Sequence, residues 1–223
     1  METYQEYKEL VLACPSFHEP VVKEYTKTGK EKKPKKVDEC PCKDDVGTSV
    51  PGYFSKDNVK LLFLLGSPSP GTIQEGLAWT GKPESQVIDW IKEAGFYGDN
   101  RIGFSYISKC PAKGFRALNK NYKYCNIHFK NELEIADNPA IVVVGYTLAK
   151  IILPPALVPK DESSYHYSLV GYDLNLFGRQ HFFISDPDYI YTARGEPSSV
   201  GEYMLNISAI KKAASQLNIS LQK

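Results

Sequence analysis

The most apolar stretch of the chain is Leu61 to Leu65, LLFLL, which breaks into the Gly/Pro/Ser run Gly66 to Gly71. An unbroken apolar run of this length, closed by turn residues, predicts a strand buried on both faces. Arg101 to Ile107 and Ala140 to Val144 (AIVVV) read the same way, and His181 to Ile184 gives a fourth strand ended by Asp186-Pro187-Asp188. Elsewhere the apolar spacing widens to three and four residues. Helices are predicted over Thr3 to Leu12, from Pro83-Glu84 to Gly95 with the stripe Val87, Ile88, Ile91 and Ala94, and over Asn119 to Ile135. Two more are predicted over Thr147 to Ile152 and Val200 to Leu217. Tyr165 to Phe177 alternates around Gly171 and reads as a hairpin, and the segment holding Trp79 is too Gly-rich for a helix. Buried strands alternating with helices define an α/β fold, a three-layer α/β/α sandwich with a mainly parallel four-stranded sheet. The loops after Leu65, Ile107 and Ile184 then lie at carboxyl ends of strands and should converge on one cleft.

Composition narrows the class. With 223 residues, 42% of them hydrophobic, the chain is expected to be a single domain over 1–223. Lys23 to Lys36 holds seven lysines, so about 23–38 reads as a solvated insertion, either a solubilising loop or a tether for a phosphate backbone. The net charge of +1 excludes a global field for an anionic partner and leaves only local patches. No apolar run approaches the roughly 20 residues of a membrane span. The terminus METYQEYKEL lacks the apolar core of a signal peptide, so a soluble, intracellular protein without a membrane partner is expected. Thiols stay reduced in that compartment, which turns the five cysteines toward metal, catalysis or burial. Cys40 and Cys42 form one pair, and Cys110 and Cys125 a second at a strand-to-helix joint. Four thiolates suit an iron–sulfur cluster or a structural zinc, with Cys14 a fifth candidate. Plain burial of the sulfurs is the alternative.

In order and spacing these motifs resemble the uracil-DNA glycosylase superfamily, specifically its family 4, the iron–sulfur type. The resemblance runs from about Tyr4 to Leu217 through Val50-Pro51-Gly52, LLFLLG, the Gly-x-x-aromatic-x-Gly ending at Gly81, YISKC at Cys110, IVVVGYTLAKIIL, and a strand leading into x-Pro-x-Tyr. It implies DNA as ligand and a [4Fe–4S] cluster, zinc being the lesser alternative. Cys42, Cys110 and Cys125 match cluster positions; the fourth is Cys40 or Cys14, because this chain has Cys-x-Cys where the family has Cys-x-x-Cys. The resemblance also assigns a base pocket to Trp79, Tyr106, Gly66 and Pro68, and chemistry to Asp186, Ser67 and Asp188. DNA contacts fall to Ser69, Lys113, Arg116, Lys120, Tyr189 or Tyr191, and Arg194.

The chemical positions depart from the family. Gly-Glu-Ala-Pro-Gly is here Gly66-Ser67-Pro68-Ser69-Pro70-Gly71, one residue longer and without the acid. Tyr106 replaces an Asn, and Asp186-Pro187-Asp188 replaces His-Pro-Ser. An ionised Asp repels the negative charge that develops on a leaving base, and a phenol cannot match both edges of uracil as an amide does. Three readings follow: a glycosylase acting on a modified or deaminated base, a catalytically inactive DNA-binding accessory of repair or replication, and an iron–sulfur-stapled protein-interaction domain. A repair or replication protein is an expected partner, and a monomer is the expected state. The histidines His128, His166 and His181 read as packing or surface residues, with His181 nearest the cleft in sequence.

Overall fold

The computed structural model describes residues 4–12, 14, 49–55, 58–75, 79–190 and 200–219. In chain order the elements are α1 (Tyr4–Leu12), β1 (Leu61–Leu65), α2 (Pro70–Glu75), α3 (Lys82–Ala94), β2 (Ile102–Tyr106), α4 (Gly114–Ile135) and β3 (Ala140–Val144). Then come α5 (Tyr146–Ile152), α6 (Glu162–Ser168), β4 (Asp173–Leu176), β5 (Arg179–Ile184), α7 (Pro187–Ile190) and α8 (Val200–Gln216). The sheet order is β2-β1-β3-β5-β4. The first four strands run parallel, and β4 is added antiparallel to β5.

The sandwich follows from the pleat. Leu61, Phe63, Leu65, Val142, Val144, Phe182 and Ile184 face one layer, where Trp90 and Ile91 of α3 meet Ile207 and Ile210 of α8. Leu62, Leu64, Ile141, Val143 and Phe183 face the other, against Leu118, Phe129 and Leu133 of α4 and Leu148 of α5. Every residue of β1 and β3 is buried, as a strand covered on both faces requires. Among the described residues no helix is long and apolar enough to cross a membrane.

Three expectations need correcting. The sheet has five strands, because the short polar segment DLNL pairs along the edge of β5 and needs no apolar run to do so. The hairpin lies between β4 and β5, turned by Phe177 and Gly178 at φ 54° and 74°. Tyr165 is instead on α6, nucleated by Asp161, whose carboxylate accepts the Ser164 N–H at 2.8 Å. Finally, the Gly/Pro loop ends early. Ser69 caps α2, accepting the Thr72 N–H on its hydroxyl at 3.3 Å, and Pro70 at the first helical position is compatible with the turn. The lysine-rich segment lies outside the described residues.

Candidate functional site

Because β2, β1, β3 and β5 point the same way, their carboxyl ends form one edge. Leu65 is opposite Tyr106, Leu64 opposite Val143, and Val144 opposite Ile184. Gly66, Ile107, Gly145 and Ser185, each one residue beyond its strand, therefore share that edge. The Ser108 N–H donates to the Gly66 carbonyl at 2.9 Å, and the Gly145 N–H to the Ile184 carbonyl at 3.0 Å. The three expected loops are thus adjacent, and Gly145 adds a fourth. Ser67 is tied within this edge: its hydroxyl lies 3.3 Å from both the carbonyl and the N–H of Ala112.

Behind the β1 loop lies a buried polar cage that the sequence reading missed. The Glu84 carboxylate, 1% exposed, accepts the Ser69 N–H at 2.9 Å, the Thr72 hydroxyl at 2.9 Å and the Tyr106 hydroxyl at 3.1 Å, all on Oε1. Oε2 and the Trp79 Nε1 are buried with no hydrogen-bond partner. Gly81 closes the cage, donating its N–H to Thr72 Oγ1 at 3.0 Å. A Cβ on Gly81 would sit 1.7 Å from Ser69 Oγ and 2.7 Å from Glu84 Oε2. An acid in the first turn of α3, three residues past Gly81, was the one available signal. Its target across the loop is set by tertiary structure.

The cage fixes several of the predicted site residues. Tyr106 is fully buried, and its hydroxyl also accepts the Trp79 N–H at 3.1 Å. Burial and the neighbouring Glu84 push that phenol far above its ordinary range. Trp79, at φ 64° and 3% exposed, packs its ring 4.7 Å from Phe104 and 6.0 Å from Tyr106. Pro68 is buried, and both polar groups of Ser69 point inward to Glu84 and α2.

At the other half of the edge, Asp186 opens α7. Its Oδ1 accepts the Asp188 N–H at 2.9 Å, and its carbonyl accepts the Tyr189 and Ile190 N–H groups. Gly145, at φ 88°, is held against it: a Cβ there would meet Asp186 Oδ2 at 2.5 Å. Desolvation raises the Asp186 carboxyl to about 6, opposed by the Asp188 N–H and assisted by the Asp188 and Glu162 charges. Asp188 itself is exposed.

One residue earlier, Ser185 Oγ lies 2.8 Å from His166 Nδ1, and His166 Nε2 lies 3.8 Å from Glu202. The Ser185 N–H donates to Asn206 at 2.8 Å, and Tyr189 covers the imidazole at 5.2 Å. The hairpin expectation hid His166, because only its place on α6 aims it at β5. His181, conversely, pairs with Ile141 in the amino-terminal half of the sheet, away from this edge.

The second cysteine pair flanks the β2 loop. Cys110 and Cys125 are 7% and 6% exposed, and the Lys109 N–H approaches Cys125 Sγ at 3.5 Å. The Val50 N–H donates to the Lys109 carbonyl at 2.7 Å. The Ser49 hydroxyl donates to the Val11 carbonyl at 2.7 Å, and the Cys14 N–H to the same oxygen at 3.2 Å. Ser49 and Val50, which follow Cys40 and Cys42 in the chain, thus pack beside the end of α1 and beside Lys109, the residue before Cys110. Cys40 and Cys42 lie outside the described residues, and among those described no group of three or more His, Cys, Asp or Glu side chains gathers as a metal site. The donors that are present suit a thiophilic group: two soft sulfurs, one already receiving a backbone N–H. Nearby, burial and the Lys109 charge push the His128 imidazole down to about 4, and its buried Nδ1 has no partner.

Lys113, Arg116 and Lys120 are exposed around the first turns of α4, directly after the Ala112 that holds Ser67. Lys150 of α5 extends this basic face, 4.7 Å over the Phe115 ring and 4.3 Å over Tyr146. Tyr191 and Arg194 lie outside the described residues.

No curated protein matches the chain. A family model described as the uracil DNA glycosylase superfamily matches residues 51–206, which hold the whole parallel sheet and all four loops of the edge. With well over half of its length matched, this chain belongs to the uracil DNA glycosylase superfamily.

Proposed function

We propose that the protein is a DNA glycosylase acting on a modified or deaminated pyrimidine, with Asp186 as the group that meets the leaving base. Glycosidic cleavage places negative charge on that base, which a preorganised donor must stabilise. Ionised, Asp186 repels this charge; protonated, it donates a hydrogen bond to it. The carrying observation is the desolvated carboxyl at the carboxyl end of β5, held at about 6 against Gly145. Base release measured on a panel of modified duplexes is expected to be about tenfold or more faster near pH 5 than near pH 8. Asp186→Asn is expected to flatten that profile, since an amide donates at every pH. No release from any duplex at either pH would overturn the proposal.

The closed walls around Tyr106 and Trp79 support a second reading, an inactive DNA-binding accessory, because neither side chain has an open face for a base. Both readings use the basic face. Lys113→Ala with Arg116→Ala is expected to weaken duplex binding and to reduce its salt slope by about two. Unchanged affinity and slope at low salt would remove that surface from the DNA interface.

The same proposal includes a [4Fe–4S] cluster held by Cys42, Cys110, Cys125 and either Cys40 or Cys14. When bound, the group would staple the chain entering β1 to the β2 loop. Anaerobic purification is expected to give a brown protein with about four irons. A colourless protein holding zinc or no metal would exclude the cluster.

A further inference from the structure

A cavity of about 350 Å³ lies away from the carboxyl edge, over the amino-terminal halves of β3 and β5. Ile141 and His181, paired across those strands, form its floor, and α4 and α5 form its sides. Its volume is at the lower end of the roughly 300–1,000 Å³ typical of small-molecule sites. Three features give it chemical character.

The first is charge. Burial pushes the Arg179 guanidinium down from its ordinary value, and its described partner is an uncharged group, the Asn138 amide oxygen at 2.5 Å. No ion pair joins Arg179 to any described carboxylate, although Glu134 also lines the cavity. Lys130 adds a second cation. The planar fork of a guanidinium matches carboxylate and phosphate. The second feature is aromatic lining: Tyr122 and the largely buried Phe129 of α4, and Phe177 of the hairpin turn. The third is a strained backbone. Phe177 occupies the left-handed region at φ 54° while 84% exposed, where an asparagine or glycine would serve the turn better. Asn138, which holds Arg179, is left-handed at φ 54°, a conformation that asparagine tolerates. The exposed Phe177 ring thus lines the same cavity as Arg179 and Lys130.

We propose that this cavity is a binding site for a planar aromatic anion of nucleoside-monophosphate size, with Arg179 and Lys130 on the anion and Phe177 stacked on the ring. A mononucleotide and an aromatic carboxylate share this chemistry. The probes are therefore uridine monophosphate, uridine, benzoate and inorganic phosphate, each titrated calorimetrically into the full chain. Uridine monophosphate or benzoate is expected to saturate one site, and the one that binds more tightly identifies the source of the anion. Uridine and phosphate alone are expected to bind about tenfold or more weakly, each lacking half of the recognition. Arg179→Gln is expected to lower affinity about tenfold or more while leaving duplex binding at the opposite edge unchanged. Phe177→Gly separates binding from folding: relief of the turn is expected to raise Tm by about 2–4 °C while affinity falls. The proposal is overturned if no probe saturates, if uridine matches its monophosphate, or if either substitution leaves affinity intact.

Discussion

Glu132→Ala is expected to destabilise the fold by roughly 3–5 kcal/mol, the range for breaking a buried ion pair from one side. Glu132 and Lys109 are 0% and 1% exposed, with Nζ 2.6 Å from Oε2. The same carboxylate accepts the Gly52 N–H at 2.7 Å and the hydroxyls of Tyr7 and Ser105. Lys109 completes its three donations with Ser105 Oγ at 2.9 Å and the Tyr106 carbonyl at 2.6 Å. Burial already holds the Lys109 ammonium below the usual lysine range, with Glu132 opposing that shift. Without the carboxylate, a buried cation and three further donors lose their acceptor. For a chain of this size the loss corresponds to roughly 6–20 °C in Tm. The pair Lys109→Met with Glu132→Leu is expected to recover much of it, because it removes both charges together. Chemical denaturation of the native protein and these two variants tests this. A cost below about 1 kcal/mol for Glu132→Ala would mean that the network does not carry the joint. The joint matters beyond stability because Lys109 immediately precedes Cys110 and its N–H points at Cys125.

Asp186→Asn is expected to stabilise the protein near pH 8 and to leave it nearly unchanged near pH 4. The Asp186 pKa of about 6 in the fold stands above its ordinary 3.8, so the folded state prefers the neutral carboxyl. Stability from that preference is present below the unfolded value and is lost as pH rises through about 6. A shift of this size corresponds to at most about 3 kcal/mol, and solvent reaching the partly exposed carboxylate reduces the expected gain to about 1–2 kcal/mol. His128 acts in the opposite direction. Its imidazole falls from 6.5 to about 4 in the fold, so stability is lost as pH drops from the unfolded value through about 4. The two slopes overlap between about pH 4 and 6.5 and partly cancel in the native protein. The difference between Asp186→Asn and the native chain, followed by thermal melts across that range, isolates the carboxyl. An equal gain at both ends of the range would place the effect in packing against Gly145 and not in ionisation.

Periodicity was sufficient wherever burial is dictated locally. LLFLL and AIVVV have no polar face, so they can only be central strands. The stripe Val87, Ile88, Ile91 and Ala94 leaves α3 no other packing face, and the alternation of such units forces a parallel sheet with its loops on one edge. Periodicity failed where an element is short and its partner is distant. DLNL becomes a strand only because β5 offers an edge, and Tyr165 belongs to a helix because Asp161 caps it. The site divides along the same line. Asp186, Ser67, Ser69 and the α4 cations stand beside strand ends, and a loop position after a strand is readable from the chain itself. What each side chain does there was decided by the fold: Ser69 and Tyr106 turn inward because Glu84 needs donors, and Asp186 is desolvated because Gly145 lets the β3 loop close on it. His166 meets Ser185, and Lys109 meets Glu132, across 19 and 23 residues of chain. No local pattern encodes such pairs, because the energy of a buried polar group depends on partners that only the assembled layers supply.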